Sequence, residues 1–302
     1  MCGLFGMLRS PTATHPDHAS TVFAVLGKFA EERGLDAAGA AFLHADEPTS
    51  TRVRKPASRL IRCPDVQAPG WRVVKACVPF TRLWNRDLDN DLDRAQLVLG
   101  HTRWATQGGA GRVVNASPLI VGGLVGTHNG DVDIAPLRST FTLPRPAGGT
   151  DSEVIFQALA KHDPIQVLTR LRGRAALVWA DLARPDRVHL ARAALSPLAV
   201  ALDSEENLYW ASNPDWLREA ADLADVELVS LRLLAEGTLT TVTATPHMQI
   251  TRRKHFVATA RHRDLRLAHA VWRGFTPADR AADRKQSRHA VAGPAWWSQE
   301  AG

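Results

Sequence analysis

The amino-acid sequence predicts a layered α+β fold, and three observations indicate it. Short apolar runs typical of buried strands recur along the chain, and four of them follow one another at hairpin spacing between residues 175 and 213. A few other segments show the three-to-four-residue apolar spacing of amphipathic helices. The chain has no internal repeat, so we expect its strands and helices to pack as layers around a common core.

In the N-terminal half we expect one helix among several strands. The segment 19–34 has Val22, Val25, Leu26 and Phe29 at helical spacing, and Gly34 is a typical helix stop. The strand segments are apolar and short, and the last two are separated by a Gly-Gly turn. They are CGLFGML (2–8), AAGAAFLH (37–44), RAQLVLGHTRWAT (94–106, a strand running into a loop) and LIVGGLVGTHNGDV (119–132, two strands).

The C-terminal half is expected to alternate helices with hairpins. TDSEVIFQALAKH (150–162) predicts a capped helix, because Thr150 or Asp151 offers an N-cap oxygen and Glu153 stands three residues after Thr150, as in a capping box. PDWLREAADLA (214–224) predicts a second helix. The predicted strands are AALVWADL (175–182), RVHLARAA (187–194), LAVALD (198–203), NLYWASN (207–213) and a final strand GTLTTVTAT (237–245).

The composition indicates a soluble globular protein in a reducing cytoplasm. Of 302 residues, 45% are hydrophobic and 23% are charged, and no apolar run approaches the roughly 20 residues of a membrane span. The N-terminus lacks the features of a signal peptide. Cys2, Cys63 and Cys77 form no CxxC pair, so neither a disulfide framework nor a zinc site is expected, and we interpret Cys63 as a loop thiol and Cys77 as a thiol buried in a strand.

Four polar clusters at the ends of predicted strands are the candidate functional residues. Each combines a glycine with a charged or amide side chain, and such loops on a rigid scaffold are common binding sites. Singly, each has an ordinary structural explanation: Asn-Gly is a frequent turn, TDSE is a helix cap, and Arg103 is a surface charge. Their order behind an N-terminal cysteine favours a site. They are RGLDAAG (33–39), GHTRWATQGG (100–109), THNGD (127–131) and GTDSE (149–153).

Together with Cys2, these motifs resemble the glutaminase domain of class II glutamine amidotransferases, which are N-terminal-nucleophile hydrolases. ERGLDAAGAA resembles the phosphoribosylpyrophosphate amidotransferases, and GHTRWAT followed by NASP (115–118) and HNG resembles the glucosamine-6-phosphate synthases. The resemblance covers about residues 2–245. It implies a four-layer αββα sandwich of two mainly antiparallel sheets over residues 1–245, followed by a basic extension over 246–302, and neither cofactor nor metal.

The resemblance also implies a reaction, the hydrolysis of the side-chain amide of L-glutamine through a cysteine thioester. Met1 before a small residue is a good substrate for removal, which would expose the α-amine of Cys2. An α-amine has a pKa of about 7.7–8.0, against about 8.5 for a free thiol, so near neutral pH the amine can serve as base for its own thiol. Cys2 then supplies both nucleophile and base.

The resemblance assigns the remaining polar groups to the two ends and the carbonyl of the substrate. The Asn129 side chain and the Gly130 main-chain N–H are the expected oxyanion donors. A free amino acid carries a carboxylate and an ammonium. Arg103 is expected to bind the carboxylate through its two-pronged guanidinium, and Asp151 the ammonium.

Further residues of these motifs have secondary roles or depart from the family pattern. Thr106 is expected to add a hydrogen bond to the carboxylate, Arg33 to order the Cys2 loop, and Trp104 either to join the site or only to pack. Gln107 and Ser117 stand where glucosamine-6-phosphate synthases tend to have histidine, which leaves the fine contacts to the substrate open.

The length and the C-terminal charge raise the question of partners. Only about 57 residues follow residue 245, so we expect a separate synthase subunit to consume the ammonia. A stand-alone γ-glutamyl amidase and a non-catalytic protein on the same fold are the alternatives. From Thr251 onward 11 Lys and Arg face 4 Asp and Glu, interleaved with Trp272, Trp296 and Trp297. This basic segment is expected to bind nucleic acid, to dock a protein partner or to be a plain extension. The two histidines of HPDH (15–18) are expected to lie in a solvated turn.

Overall fold

The computed structural model describes residues 2–44 and 70–258. Its strands are β1 Gly3–Leu8, β2 Ala37–Leu43, β3 Trp71–Ala76, β4 Leu97–Arg103, β5 Leu119–Val121, β6 Leu124–Asp133, β7 Arg172–Asp181, β8 Arg184–Ala194, β9 Ala199–Asp203, β10 Leu208–Ala211, β11 Leu228–Leu233, β12 Thr238–Thr243 and β13 Gln249–His255. Its α-helices are α1 Pro16–Ala30, α2 Phe80–Leu83, α3 Arg86–Arg94, α4 Ala135–Thr140, α5 Asp151–Leu159, α6 Pro164–Leu168 and α7 Pro214–Leu223.

The strands form two antiparallel sheets. The first sheet has the order β11-β9-β10-β1-β4-β2-β3, and the second has the order β13-β12-β8-β7-β6-β5. In the first sheet β1 lies between β10 and β4, with Phe5 opposite Ala211 on one side and Gly100 on the other. The strand behind Cys2 is therefore hydrogen-bonded on both edges, which gives this cysteine a rigid support.

Three apolar clusters show that the molecule has four layers. One cluster lies between the first sheet and α1 and α7, a second lies between the two sheets, and a third lies between the second sheet and α5. This αββα arrangement confirms the predicted fold class. Representative members, in that order, are Phe5, Val22, Leu26 and Trp216; Leu4, Leu99, Val125 and Val178; and Val132, Val154, Phe156 and Leu177.

One glycine of β1 shows how tightly the strand is packed. A methyl group on Gly6 would overlap the indole ring of Trp210 and the carbonyl oxygen of Val98. Both neighbours are fully buried, so neither has room to move away. Position 6 of the GLFG stretch therefore requires a glycine, because Trp210 packs directly against the main chain of β1 there.

The predicted strands and the helices of residues 19–34, 150–162 and 214–224 are confirmed, with some corrections. Helix α1 begins earlier than expected, at Pro16, so His18 lies on a helix rather than in a turn. Thr150 is the N-cap of α5 and its Oγ1 accepts from the Glu153 N–H, at 3.4 Å. The Glu153 carboxylate does not complete the capping box, because it accepts instead from the N–H groups of Ala147 and Gly148.

Strands β3 and β11 were not predicted, and neither were helix α3 and strand β13, whose sequences are polar. Helix α3 (RDLDNDLDR) buries Leu88, Leu92 and the Asp91 side chain, and β13 (QITRRKH) is an edge strand with little apolar alternation. Strand β13 follows β12, so the prediction that GTLTTVTAT is the final strand is wrong. Cys77 lies one residue past β3 and is half-buried, so its assignment to a strand interior is also wrong.

Two predictions concern residues outside those that the structure describes. Cys63 lies in the segment 45–69, and most of the basic segment lies in 259–302. Strand β13 belongs to the predicted extension and pairs with β12, while the domain boundaries stay a prediction. Within residues 2–44 and 70–258, no helix is long and apolar enough to cross a membrane.

Candidate active site

A small buried cavity lies where the two sheets meet the start of helix α5. Six of the eight residues that were expected to form the site line it, and so do Gln107 and Ser117, the two departures from the family pattern. The six are Cys2, Arg103, Trp104, Thr106, Gly130 and Asp151. They come from the residue before β1, from the end of β4 and its loop, from β6, and from the first turn of α5. The other two, Arg33 and Asn129, do not line the cavity. Arg33 donates to the Cys2 carbonyl oxygen, and Asn129 donates to Ser212 Oγ.

Cys2 is buried at the edge of this cavity as a protonated thiol. Its Sγ–H donates a hydrogen bond to the main-chain oxygen of Trp104, with the two atoms 3.5 Å apart. Arg33 Nε donates to the Cys2 carbonyl oxygen at 2.9 Å, which anchors the main chain of the cysteine to the turn after α1. Burial raises the pKa of the Cys2 thiol above its usual range, although the bond to Trp104 opposes the shift. The thiol therefore requires a base before it can act as nucleophile.

This raised pKa predicts how Cys2 reacts in the absence of substrate. Below the pKa of a thiol, the thiolate fraction rises about tenfold for each pH unit. We therefore expect alkylation of Cys2 by iodoacetamide to be slow at pH 7 and to accelerate about tenfold per unit toward alkaline pH. Peptide mass mapping follows Cys2 separately from the half-buried Cys77. Fast, pH-independent labelling between pH 6 and 8 would show that the thiolate already exists there.

The side chain of Trp104 points away from the protein core. It is 56% exposed, so a role in packing alone does not fit its position. Its main chain, in contrast, contacts the cysteine directly, and the next residue donates its N–H to Asp36 Oδ2 at 2.8 Å. The loop that begins at Trp104 is thus tied to the RGLDAAG segment at the mouth of the cavity.

The Arg103 guanidinium is enclosed by its own loop. Its terminal nitrogens donate to the carbonyl oxygens of Gln107 (2.7 Å), Gly108 (3.2 Å) and Gly109 (3.2 Å). The residue is 4% exposed although it carries a full charge, and the three carbonyl dipoles compensate for its desolvation. An arginine has five N–H donors, so this arrangement leaves donors of Arg103 for an anion in the cavity.

Asp151 is the first residue of α5 and is also buried. Its Oδ2 accepts from the Val132 N–H at 2.8 Å, and its Oδ1 accepts from the Ser152 N–H at 2.9 Å. The carboxylate lies at a helix N-terminus, where the peptide dipoles favour negative charge. His128 Nδ1 is 4.0 Å from Asp151 Oδ2, but burial lowers the pKa of His128 and outweighs the attraction of Asp151. The histidine is therefore neutral and leaves the negative charge of Asp151 available to a cation.

Asn129 and Gly130 lie on β6, in the sheet opposite the one that contains β1. Asn129 Nδ2 donates to Ser212 Oγ at 3.1 Å, and the same oxygen accepts from the Leu4 N–H at 2.9 Å. Ser212 thus connects the Asn129 amide to the main chain two residues after Cys2. A methyl group on Gly130 would overlap the carbonyl oxygen of Arg174, so only glycine allows the close approach of β6 to β7 here.

Gln107 and Asp131 form a hydrogen bond that spans the cavity mouth. Gln107 Nε2 donates to Asp131 Oδ1 at 2.5 Å and to the Val132 carbonyl oxygen at 3.2 Å. Burial raises the pKa of Asp131, and the bond from Gln107 opposes that shift. The Gln107 side chain therefore fastens the loop after β4 to the stretch of β6 that also contacts Asp151 through the Val132 N–H.

This contact is expected to appear as a coupling energy in a double-mutant cycle. We expect Gln107→Ala and Asp131→Ala each to lower the free energy of unfolding at pH 8, and the double variant to lose less than the sum by about 1–2 kcal/mol. Urea denaturation measures the four proteins. The pair Gln107→Ala and Asp133→Ala is a matched control on the same strand and should be additive. Additive losses for Gln107 and Asp131 would contradict the coupling.

Several residues in and around the site were given no individual role from the sequence, although two of them belong to the motifs. His101 lies within the GHTRWAT motif and lines the cavity, so its position beside Arg103 was the available signal. Asp131 follows the Asn-Gly pair directly. Ser212 is 83 residues from Asn129 along the chain, and no local pattern indicates it. In the part of the chain that the structure describes, no cluster of three or more His, Cys, Asp or Glu side chains has the arrangement of a metal site.

Comparisons with known proteins agree with this geometry. No protein-family model matches the chain. The glutamine–fructose-6-phosphate aminotransferase (isomerizing) of Corynebacterium efficiens is 30% identical over 250 residues, a match that covers 76% of this chain and 36% of the relative. The chain therefore spans little more than a third of the length of this curated relative.

Solved structures show the same fold at lower identity. The glutamine phosphoribosylpyrophosphate amidotransferase from B. subtilis, solved with ADP and GMP, superimposes with a TM-score of 0.56 at 17% identity and covers 84% of this chain and 49% of that one. A structure described as the allosteric regulatory enzyme of purine biosynthesis gives a TM-score of 0.59, also at 17% identity and with the same coverage of both chains.

The chain has the four-layer fold of these two solved structures, and its Cys2 directly precedes the first strand. Its homologues include glutamine–fructose-6-phosphate aminotransferases, which carry a class II glutamine amidotransferase domain.

Proposed function

We propose that this protein hydrolyses the side-chain amide of L-glutamine to glutamate and ammonia through a thioester on Cys2. The observation that carries the proposal is the shared cavity of Cys2, Arg103 and Asp151. A thiol, a fixed cation and a fixed anion are the three groups that an amino-acid amide requires, and here all three are buried within one small site.

The two charges orient the substrate. The donors of Arg103 not used by its loop bind the α-carboxylate, and Thr106, which also lines the cavity, adds a hydrogen bond to it. Asp151 binds the α-ammonium. With both ends held, the side-chain amide is directed toward Cys2, and the reaction becomes effectively intramolecular.

Removal of Met1 creates the base for the reaction. The free α-amine of Cys2 takes the thiol proton, and Sγ attacks the amide carbon to form a tetrahedral intermediate. Its oxyanion accepts hydrogen bonds from Asn129 Nδ2 and the Gly130 N–H. When the intermediate collapses, the proton passes from the α-ammonium to the leaving nitrogen, and ammonia departs. Water then attacks the thioester, which yields glutamate and restores the thiol.

We further propose that the ammonia is consumed by a separate synthase subunit. The support is the activity named for the curated relatives, which are aminotransferases and therefore transfer the nitrogen of glutamine to an acceptor. Ammonia released into water would be protonated and lost, which favours hydrolysis only when the synthase is docked. Full turnover by the isolated chain, together with purification from its source without a second protein, would contradict this part of the proposal.

The direct test is an assay of the purified chain with N-terminal mass spectrometry. We expect Met1 to be absent and L-glutamine to yield equal amounts of ammonia and glutamate. A panel of larger γ-glutamyl amides distinguishes the alternative, a γ-glutamyl amidase, because Arg103 and Asp151 would fit that substrate class equally well. Retention of Met1 would remove the free α-amine and with it the proposed mechanism. Binding of nucleic acid by the basic segment stays a prediction.

A further inference from the structure

His101 is a buried titratable residue in the cavity that the proposed mechanism does not use. It lies on β4, where its main chain is opposite Leu4 of β1 on one side and Gly39 of β2 on the other. Its side chain is 2% exposed and lines the cavity together with Cys2 and Gly130. Leu4 is two residues after Cys2, so the imidazole lies on the strand next to the nucleophile.

The hydrogen bonds of His101 fix its tautomer. Its Nε2 is 3.0 Å from the carbonyl oxygen of His128, and since a carbonyl oxygen can only accept, Nε2 carries the proton. The pKa of His101 is lowered to about 3, chiefly by burial and also by the nearby charges of Arg103 and Lys75, while the bond to the His128 carbonyl opposes the shift. The ring is therefore neutral, and its Nδ1 has a lone pair.

The lone pair of His101 Nδ1 accepts no hydrogen bond from any described residue. The atom is buried, although a buried acceptor is normally paired. The groups assigned to the substrate include no acceptor for the N–H groups of its side-chain amide. Asn129 and Gly130 donate to the carbonyl oxygen and Asp151 accepts from the ammonium, but none of the three accepts from the N–H groups of the side-chain amide.

We propose that His101 Nδ1 accepts a hydrogen bond from the side-chain amide nitrogen of the bound substrate, and that His101 thereby selects a leaving group that carries an N–H. The inference rests on the proposed function and narrows its substrates to γ-amides rather than γ-esters. The position supports it, because the imidazole is bonded to the main chain of His128, the residue directly before the oxyanion pair.

His101 makes no net proton transfer in this scheme. The Sγ–C bond forms and the C–N bond breaks, while the thiol proton reaches the leaving nitrogen through the α-amine of Cys2. One N–H of that nitrogen donates to His101 Nδ1 before and after the bond breaks, so the acceptor also contacts the departing ammonia. A buried acceptor left without this donor disfavours substrates whose leaving group lacks an N–H.

The experiment compares two substrates in His101→Gln. The Nε2 of a glutamine side chain can replace the imidazole Nε2 as donor to the His128 carbonyl, but glutamine has no atom at the position of Nδ1. The substrates are L-glutamine and L-glutamate γ-methyl ester, whose leaving group carries no N–H. We expect kcat/KM for glutamine to fall on the order of 10- to 100-fold, and kcat/KM for the ester to change by less than about threefold.

Each outcome of the comparison in His101→Gln either supports or overturns the proposal. Equal losses for both substrates would overturn it, because a merely structural role lowers both alike, and no loss for either would overturn it as well. His189→Gln is the matched control: His189 is half-buried in the second sheet, bonded to Thr241 Oγ1, and should leave both rates unchanged. A wild-type protein inactive on glutamine but active on other γ-glutamyl amides would overturn the proposed function itself.

A second measurement needs no change at His101. In Cys2→Ala protein labelled with nitrogen-15 histidine, binding of glutamine should move one unprotonated imidazole nitrogen resonance upfield, because that nitrogen gains a hydrogen bond. Binding of the γ-methyl ester should leave the resonance in place. An identical response to both ligands, or no response to either, would contradict a bond to the amide.

Discussion

Cys2→Ala is expected to abolish the release of ammonia from L-glutamine, with a fall in kcat of at least about 10⁴-fold. Among the described residues, Cys2 is the one thiol that lines the cavity, and the change removes it while the buried Cβ stays in place. The fold should be unaffected, because β1 keeps its pairing with β4 and β10 through residues 3–8. Ammonia and glutamate are both measured, and binding of glutamine to the variant is followed by calorimetry.

Two matched variants separate the thiol from the α-amine. Cys77→Ala removes the half-buried cysteine after β3 and should retain wild-type activity. A variant with an uncleavable residue placed before Cys2 keeps the thiol but blocks the amine, and it should lose activity nearly as completely as Cys2→Ala. Substantial hydrolysis by the blocked variant would show that another base serves Cys2, and substantial hydrolysis by Cys2→Ala would refute the thioester mechanism.

Asp151→Asn is expected to raise KM for glutamine by on the order of 100-fold, with a smaller effect on kcat. The substitution removes the negative charge opposite the α-ammonium. It retains an amide oxygen that can accept from the Val132 N–H or the Ser152 N–H, so α5 should keep its start. Steady-state kinetics measure the two constants separately.

The control for Asp151 uses a substrate without the α-amine. Glutaramic acid has the same carboxylate and side-chain amide as glutamine, so wild type and Asp151→Asn should hydrolyse it at similar, low rates. Asp133→Asn, a change to another carboxylate of β6 outside the cavity lining, should leave glutamine kinetics unchanged. An equal loss on both substrates in Asp151→Asn would assign the carboxylate a structural role instead.

Much of the fold could be predicted because its central strands carry strong local signals. Strands β1, β2, β4 and β7 are short apolar runs buried on both faces, and α5 begins at a threonine cap. Helix α3 and strand β13 escaped prediction, and both depend on contacts with other elements for their stability. Helix α3 is almost entirely charged and is held by two buried leucines, and β13 exists because β12 offers it an edge.

The candidate site was predictable to a similar extent. Cys2, Arg103 and Asp151 were identified from motifs, and the structure brings all three to one cavity. The contacts that shape the cavity were not predicted. The bond from Gln107 to Asp131 joins residues 24 positions apart, and the bond from Asn129 to Ser212 joins residues 83 positions apart. Their partners are ordinary polar residues with no distinguishing local pattern.

The sequence by itself therefore determined the chemistry available to this protein: a thiol behind the first methionine, a guanidinium, a carboxylate and an Asn-Gly pair. The tertiary structure alone decided how these groups are used. It buries the thiol so that its pKa is raised, encloses Arg103 in three carbonyl oxygens and leaves one nitrogen of His101 without a donor. The physical reason is that burial and hydrogen bonding depend on which strands lie side by side, and that is set by packing between residues far apart in the chain.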